Sequence, residues 1–291
     1  MSSGSPLTQD QSRAIRLMGL PFAYALALLA IPLGAVLLFS FWTQDFMTVD
    51  TTFTLDNYRE VAESPIYGLL LRRSLMVSGL VTLVTVVLAY PVAYFVSFHV
   101  APSKKSLWLF LITIPFWTSY LIRVFLWKVI LGYNGVINSG LTQLGLIDEP
   151  LTFILYNVNA VIITLAHAFA PFAILPIFVV LEKIDRSLLE ASRDLGETKV
   201  STFFWVTLPL SMPGVVGAAL IVFIPTIGDY VTPELMGGAG GKLIANMIQT
   251  QFLQLNNAPL GAALAIVAMV CVAGISILFV LLNRRWLRRQ T

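Results

Sequence analysis

Long apolar runs dominate the pattern of hydrophobic and polar positions along this chain. Each is about 20 residues or more, which lets a helix cross the hydrocarbon layer of a membrane. The six runs cover residues 17–41, 74–98, 107–131, 155–181, 210–230 and 260–282. A transmembrane β-strand would show alternation over about ten residues, and none of these runs alternates. The pattern predicts an all-α, polytopic membrane protein with six transmembrane helices over residues 17–282.

Composition supports a lipid environment for most of the chain. Only 11% of its residues are charged and 57% are hydrophobic, whereas a soluble domain has about 25% charged residues. A net charge of +3 gives no reason to expect a nucleic-acid partner. The single cysteine, Cys271, excludes an intrachain disulfide and a cysteine metal cluster. We find no nucleotide-binding motif, catalytic triad or metal constellation, so we expect a non-catalytic membrane subunit without a cofactor of its own.

Lysine and arginine collect on one side of the predicted helices. Twelve lie in the tail 1–16, the loops 99–106 and 182–209, and the tail 283–291, against four on the other side. Because cytoplasmic segments carry the excess of positive charge, both termini are predicted to be cytoplasmic. Nine acidic residues lie at or near the outer side. They weakly favour a cationic solute, although the solvation of loops explains them equally well.

The inner loop 182–209, here called the elbow, has the pattern of two short helices. Leu188, Ser192 and Leu195 are spaced so that they lie along one face of a helix. Gly196 then predicts a helix end, since glycine accepts a left-handed backbone. Thr198 is placed to cap a second helix, which we expect Pro209 to end. We therefore expect the elbow to present an apolar ridge with charged flanks. A partner or, alternatively, the membrane interface would cover this ridge.

The elbow also contains a spaced motif. Its residues are Glu190, Ala191, Ser192, Gly196, Val206, Leu208 and Pro209. This spacing resembles the EAA loop of ABC-importer permeases, with Ser192 in place of alanine and Val206 in place of isoleucine. The resemblance implies that the elbow docks in a groove of a cytoplasmic ATPase subunit and transmits its closure to the membrane helices.

Three more segments, 114–123, 181–185 and 228–238, resemble the spermidine/putrescine permeases. The likeness runs from about residue 55 through the sixth apolar run. It implies a permease in the bacterial cytoplasmic (inner) membrane that imports a polyamine by alternating access. The implied partners are a second, related permease, two ATPase subunits that bind ATP and Mg, and an extracytoplasmic solute-binding protein.

Other functions stay open as alternatives. Within the same class, the cargo could be an opine, an amino acid or another small organic solute. An ion-coupled secondary transporter should show an internal repeat with intramembrane acids, and neither is evident. An intramembrane enzyme would need a reactive pair in the bilayer, which His167 lacks.

Carboxylates and aromatic rings at the outer end of the helices suit a polyammonium solute. The candidate residues of the solute path are Trp117, Tyr120, Asp229, Tyr230 and Glu234. The two acids could instead close an outer gate or contact the receptor, and the aromatic residues are also typical of a membrane-interface belt.

Two cations and a glycine-rich segment complete the sequence predictions. Arg123 and Lys128 lie within the third apolar run, where a cation needs a partner, so we expect them to pair with a carboxylate of this chain or of another subunit. His167 is expected to make an interior hydrogen bond. The segment 236–242 lacks the first glycine and the Ser/Thr of a phosphate-binding loop, and it predicts a flexible outer turn.

Overall fold

A computed structural model describes residues 9–46, 48–238 and 240–287 of the chain. Residues 1–8 of the predicted N-terminal tail and residues 288–291 of the basic tail, including Arg288 and Arg289, lie outside this description. The helices are α1 (Gln9–Phe39), α2 (Asp56–Glu63), α3 (Pro65–Phe98), α4 (Pro102–Thr113), α5 (Tyr120–Ile130), α6 (Val136–Gln143), α7 (Val158–Glu182), α8 (Arg186–Asp194), α9 (Lys199–Thr202), α10 (Leu208–Ile227), α11 (Val231–Met236), α12 (Ile244–Leu253), α13 (Ala258–Leu282) and α14 (Arg284–Leu287). Strands β1 (Thr43–Asp45) and β2 (Thr48–Asp50) form an antiparallel hairpin after α1.

The predicted all-α membrane architecture is confirmed. Among the described residues, five helices are long and apolar enough to cross a membrane, and one bent pair makes a sixth candidate. The five are Leu17–Phe39 of α1, α3, α7, the rod Lys199–Ile227 and α13. Five shorter helices outside the apolar runs, α2, α6, α11, α12 and α14, were not predicted.

The third apolar run, 107–131, is not one straight helix. Its two halves, Pro102–Trp117 and Tyr120–Ile130, meet at an angle of 89°. Pro115 has no N–H for the helical ladder, so the chain tightens there into a 3₁₀ turn over Ile114–Trp117. Thr118 is then extended, with ψ of 149°, and its hydroxyl donates to the carbonyl of Pro115 at 2.8 Å. The proline and the extended residue after it explain the break.

Pro209 does not end the second elbow helix, contrary to the prediction. Lys199–Thr202 continues through one π-helical turn, Phe203–Thr207, into α10. Pro209 is the second residue of α10, directly after the π turn. The elbow and the membrane helix are therefore one continuous rod from Lys199 to Ile227.

Helices α3, α7 and α10 form the packed centre of the fold. Their fully buried side chains include Val81, Leu165, Ile177 and Val222. Gly214 of α10 lets that helix approach α7, because an added Cβ would lie 2.9 Å from the carbonyl oxygen of Pro176. By contrast, no residue in the apolar window of α1 is buried and only 11% of that of α13 is. These two helices keep their apolar faces outward, as a lipid solvent permits.

Candidate functional site

The first helix of the elbow begins at a well-formed cap. The backbone N–H of Ser187 donates to the carboxylate of Asp185 at 3.0 Å. This hydrogen bonding lowers the pKa of Asp185 from its ordinary value. An ionised cap also suits the positive end of the helix dipole, so α8 starts one turn after α7 ends.

Gly196 ends α8 with a left-handed residue, as the sequence predicts. Its φ is +90°, and its N–H donates to the carbonyl of Arg193 at 2.9 Å. The N–H of Glu197 reaches back to the carbonyl of Ser192 at 3.2 Å. These two bonds form a Schellman motif, which satisfies carbonyls that the helix end would otherwise leave free.

The second elbow helix packs against the first and against α3. Thr198 caps it, as predicted, by accepting from the N–H of Ser201 at 3.2 Å. The hydroxyls of Ser192 and Thr202 lie 3.0 Å apart and join the two helices. In the π turn, the ring of Phe203 meets Tyr90 edge-on at 5.6 Å. The elbow is thus a defined structure rather than an open loop.

The surface of the elbow presents a large apolar ridge, and no other part of the described chain covers it. The exposed fractions are 48% for Leu188, 85% for Leu195, 66% for Val200, 56% for Phe204 and 80% for Trp205. Of the motif residues, Glu190, Ala191 and Gly196 are exposed beside this ridge, while Ser192, Leu208 and Pro209 are half-buried. A contiguous exposed ridge of this kind marks an interaction surface.

At the other end of α10, Tyr120 and Asp229 come together as the candidate path requires. The Tyr120 hydroxyl donates to Asp229 Oδ2 at 2.9 Å and lies 2.7 Å from the hydroxyl of Thr232. The N–H of Val231 also donates to Asp229, at 3.2 Å. These contacts fix the position of the Asp229 carboxylate relative to the Tyr120 ring.

Tyr230, directly before α11, and Glu234, within it, form a second group. Asn246 joins them, because its amide donates to the carbonyl of Tyr230 at 2.9 Å and to Glu234 Oε2 at 3.2 Å. Both side chains are exposed, Tyr230 by 44% of its area. Trp117 is 78% exposed, and its ring contacts Phe110 rather than either group.

Arg123 and Lys128 lack the carboxylate partners that we expected within the chain. The ion pairs found among the described residues are Arg59–Asp56, Lys105–Glu182 and Arg186–Glu182. The Arg123 guanidinium instead lies 5.4 Å from the Phe116 ring centre and 5.8 Å from that of Tyr120. Its Nε and Nη1 are buried without a hydrogen-bond partner in the described chain. Aromatic faces thus replace carboxylates here, and pairing with another subunit stays a prediction.

His167 makes a hydrogen bond, as predicted, but at an exposed position rather than in the interior of the chain. Trp127 Nε1 donates to His167 Nδ1 at 3.0 Å. Lys128 follows Trp127 in α5, and its Nζ lies 5.9 Å from the ring centre of Tyr156.

The described residues of the glycine-rich outer turn contact other parts of the chain, and the predicted flexibility of the turn stays a prediction. The Arg73 guanidinium donates to the carbonyl of Gly240 at 2.6 Å. Gly238 has a φ of +61°, and a Cβ there would clash with the backbone of Tyr156. Sequence reasoning missed this role of Arg73, although the unexpected positive charge on the outer side was a signal of it.

The apolar helices, the continuous rod and the elbow define a multi-pass inner-membrane permease of the ABC-importer class. The chain belongs to the family described as "Binding-protein-dependent transport system inner membrane component", whose model matches residues 72–288.

Curated relatives and solved structures agree with this assignment. The chain is 40% identical over 240 residues to the "Spermidine/putrescine transport system permease protein PotB" of Escherichia coli (strain K12), covering 82% of this chain and 86% of that one. The protein of the same name from Haemophilus influenzae is 38% identical over 253 residues, or 87% of each chain. The resemblance to the spermidine/putrescine permeases is thereby confirmed. A bacterial alginate ABC transporter, solved with an alginate pentasaccharide-bound periplasmic protein, shares the fold with a TM-score of 0.74 at 18% identity, covering 97% of this chain and 98% of that chain.

Proposed function

We propose that this chain forms half of the translocation path of an ATP-driven importer for a polyamine such as spermidine or putrescine. The observation that carries the importer role is the exposed ridge of the elbow, which is built on the same rod as α10. A surface at that place can receive force from a soluble subunit and deliver it to the membrane helices. Relatives that carry spermidine and putrescine in their names support the solute class.

The proposed assembly contains this chain, a second related permease, two cytoplasmic ATPase subunits and an extracytoplasmic solute-binding protein. Both termini and the elbow face the cytoplasm in this arrangement, because the positive charge of the loops lies on that side. ATP and Mg bind to the ATPase subunits. Closure of these subunits moves the two elbows, and the membrane helices alternate between inward-open and outward-open states.

In this scheme the solute passes the Tyr120–Asp229 pair near the outer end of α10. A primary ammonium group of a polyamine matches a carboxylate for charge and an aromatic face for cation–π attraction. Tyr120 and Asp229 offer both within one hydrogen-bonded unit. Tyr230 and Glu234, joined through Asn246, provide a second carboxylate and ring a short distance along the chain.

The test is uptake into proteoliposomes that contain the whole transporter. We expect labelled spermidine or putrescine to accumulate with ATP and not with a non-hydrolysable analogue. Competition by unlabelled amino acids and opines identifies the solute class, and displacement of the polyamine by either would contradict the proposed cargo. Accumulation driven by an ion gradient without ATP would contradict the importer role and favour a secondary transporter.

A pair of matched variants tests the solute path in the same assay. Asp229→Asn keeps the size of the side chain and removes its charge, so we expect the KM for the polyamine to rise by roughly ten-fold or more. Asp148→Asn is the control, because Asp148 is an exposed outer acid that the proposed path does not include. An equal effect of both substitutions would show a general role of outer charge instead of a defined site.

A further inference from the structure

A compact polar cluster lies where α7 ends and the elbow begins. It joins Ser97 in the last turn of α3, Lys105 in α4, Glu182 at the end of α7 and Arg186 at the start of α8. We call these four residues the elbow clamp. None of them belongs to the spaced motif of the elbow, and Lys105 attracted notice in the sequence only as part of the positive charge on the inner side.

The carboxylate of Glu182 is the centre of the elbow clamp. Its Oε1 accepts from the Ser97 hydroxyl at 2.6 Å, from Lys105 Nζ at 2.7 Å and from Arg186 Nη2 at 3.3 Å. Its Oε2 accepts from Lys105 Nζ at 2.8 Å. One side chain therefore connects three other helices, and every bond except that to Arg186 spans more than 70 positions of sequence.

The carbonyl of Ser97 is a second centre for the same two cations. It accepts from Lys105 Nζ at 2.9 Å and from Arg186 Nη2 at 3.1 Å. A carbonyl in the last turn of a helix has no partner within that helix and carries the negative end of the dipole. The Arg186 guanidinium also lies 3.8 Å from the centre of the Phe98 ring. Two cations thus bridge a carboxylate and a helix end.

The elbow clamp differs from an ordinary surface ion pair. The exposed fraction is only 16% for the Lys105 side chain, 31% for that of Glu182 and 41% for that of Arg186. Both side chains of the surface pair Arg59–Asp56 are about 70% exposed. An exposed pair contributes little because water and salt screen it. A shielded network in which donors and acceptors satisfy each other resists separation more strongly.

We infer that the elbow clamp passes displacement of the elbow to α3 and α4, with Lys105 and Glu182 as positioning residues for coupling. The inference rests on the proposed function. The ridge residue Leu188 is on α8, two positions after Arg186, so a force on the ridge acts directly on the clamped segment. The rod Lys199–Ile227 is the covalent connection of the elbow to α10. The clamp also connects the elbow to α3 and α4 by hydrogen bonds, so these helices must move with the elbow as well.

The test uses the complete transporter in proteoliposomes and measures solute imported per ATP hydrolysed. The variants are Lys105→Gln, Glu182→Gln, the combination of both, and the conservative Lys105→Arg. Lys104→Gln is the matched control, because the adjacent Lys104 is exposed and outside the clamp. The basal rate of ATP hydrolysis and the recovery of assembled complex are measured for each variant.

We expect Lys105→Gln and Glu182→Gln each to lower import per ATP by roughly five-fold or more, while basal hydrolysis and assembly stay at the level of the unaltered transporter. The combined variant should lose less than the sum of the two single losses, because both substitutions break the same Lys105–Glu182 ion pair. Lys105→Arg should retain coupling, since a guanidinium can also bridge both carboxylate oxygens.

Three outcomes would overturn the inference. One is unchanged import per ATP in both single variants. Another is a parallel loss of assembly and hydrolysis in both, which would make the clamp purely structural. The third is additive losses in the combined variant. A failure of the proposed function looks different, because the unaltered transporter would then show no ATP-dependent import at all.

Discussion

Replacing Gly196 tests the elbow through its backbone alone. Its φ of +90° lies in the region that side chains rarely adopt, yet no atom lies within 4 Å of the position that a Cβ would occupy. Gly196→Ala therefore adds no collision with neighbouring residues. The remaining cost is the strain of a left-handed alanine, about 1–2 kcal/mol. That strain opposes the Schellman motif and lowers the ratio of the formed to the frayed helix end by roughly 5- to 30-fold.

A docking partner would recognise the shape of the elbow. The strain should therefore weaken the coupling of ATP hydrolysis to import. We expect import per ATP, and the affinity of the permease for its ATPase subunits, to decrease in the order glycine, asparagine, alanine and valine. Asparagine tolerates the left-handed region better than alanine, and a β-branched residue tolerates it least. Affinity is measured by binding of the isolated ATPase to the permease in nanodiscs.

Gly217→Ala is the control for this series, because Gly217 lies within α10 and its added Cβ also meets open space. It should leave both quantities unchanged. If Gly196→Val coupled as well as the unaltered protein, the left-handed turn would have no part in docking. If asparagine were no better than alanine, the loss would come from side-chain volume and not from backbone strain.

Three more substitutions test other parts of the structure. Tyr120→Phe removes one hydrogen bond to a carboxylate and should raise the KM for the solute by about ten-fold; solute leakage without ATP would instead show that the Tyr120–Asp229 contact closes a gate. Arg123→Gln removes a cation from two aromatic faces and should lower the KM for a cationic solute by roughly two- to five-fold; an unchanged KM would place Arg123 outside the path. Gly214→Val forces side-chain atoms against Pro176 and Val180 of α7 and should cost about 1–3 kcal/mol of stability, seen as a lower midpoint of thermal unfolding in detergent, whereas Gly217→Ala should not lower that midpoint, because alanine is the better helix former.

The membrane helices were predictable because lipid imposes one strong condition on sequence. A crossing helix must be apolar over most of its length, and the runs that became α7 and α13 satisfy it without interruption. The shorter outer helices α2 and α12 were missed, since they lie in water-facing segments where no such condition applies. Hydropathy could not place the sharp break at Thr118, because the run 107–131 is mostly apolar on both sides of it and hydropathy says nothing about direction.

The turn between the two elbow helices could be predicted because its signals are local. The left-handed Gly196 and the cap Thr198 lie two positions apart, and each acts on its own neighbours. The elbow clamp could not be predicted, because Glu182 and Lys105 are 77 positions apart and neither has an unusual local context. The surroundings of Arg123 within this chain could not be predicted for a related reason. Charge complementarity suggests a carboxylate, but the fold brings two aromatic rings instead.

The incorrect prediction for Pro209 bears directly on mechanism. A helix that ended there would have left a joint between the elbow and α10, and displacement of the ridge could have been absorbed at that joint. The π turn over Phe203–Thr207 instead carries the chain from Lys199–Thr202 into α10 without a break, and Pro209 is the second residue of α10. The edge-on contact of Phe203 with Tyr90 then fixes this turn against α3. Since the elbow clamp ties α8 to the same helix, force on the ridge reaches α3 from both ends of the elbow, and α3 and α10 must respond together.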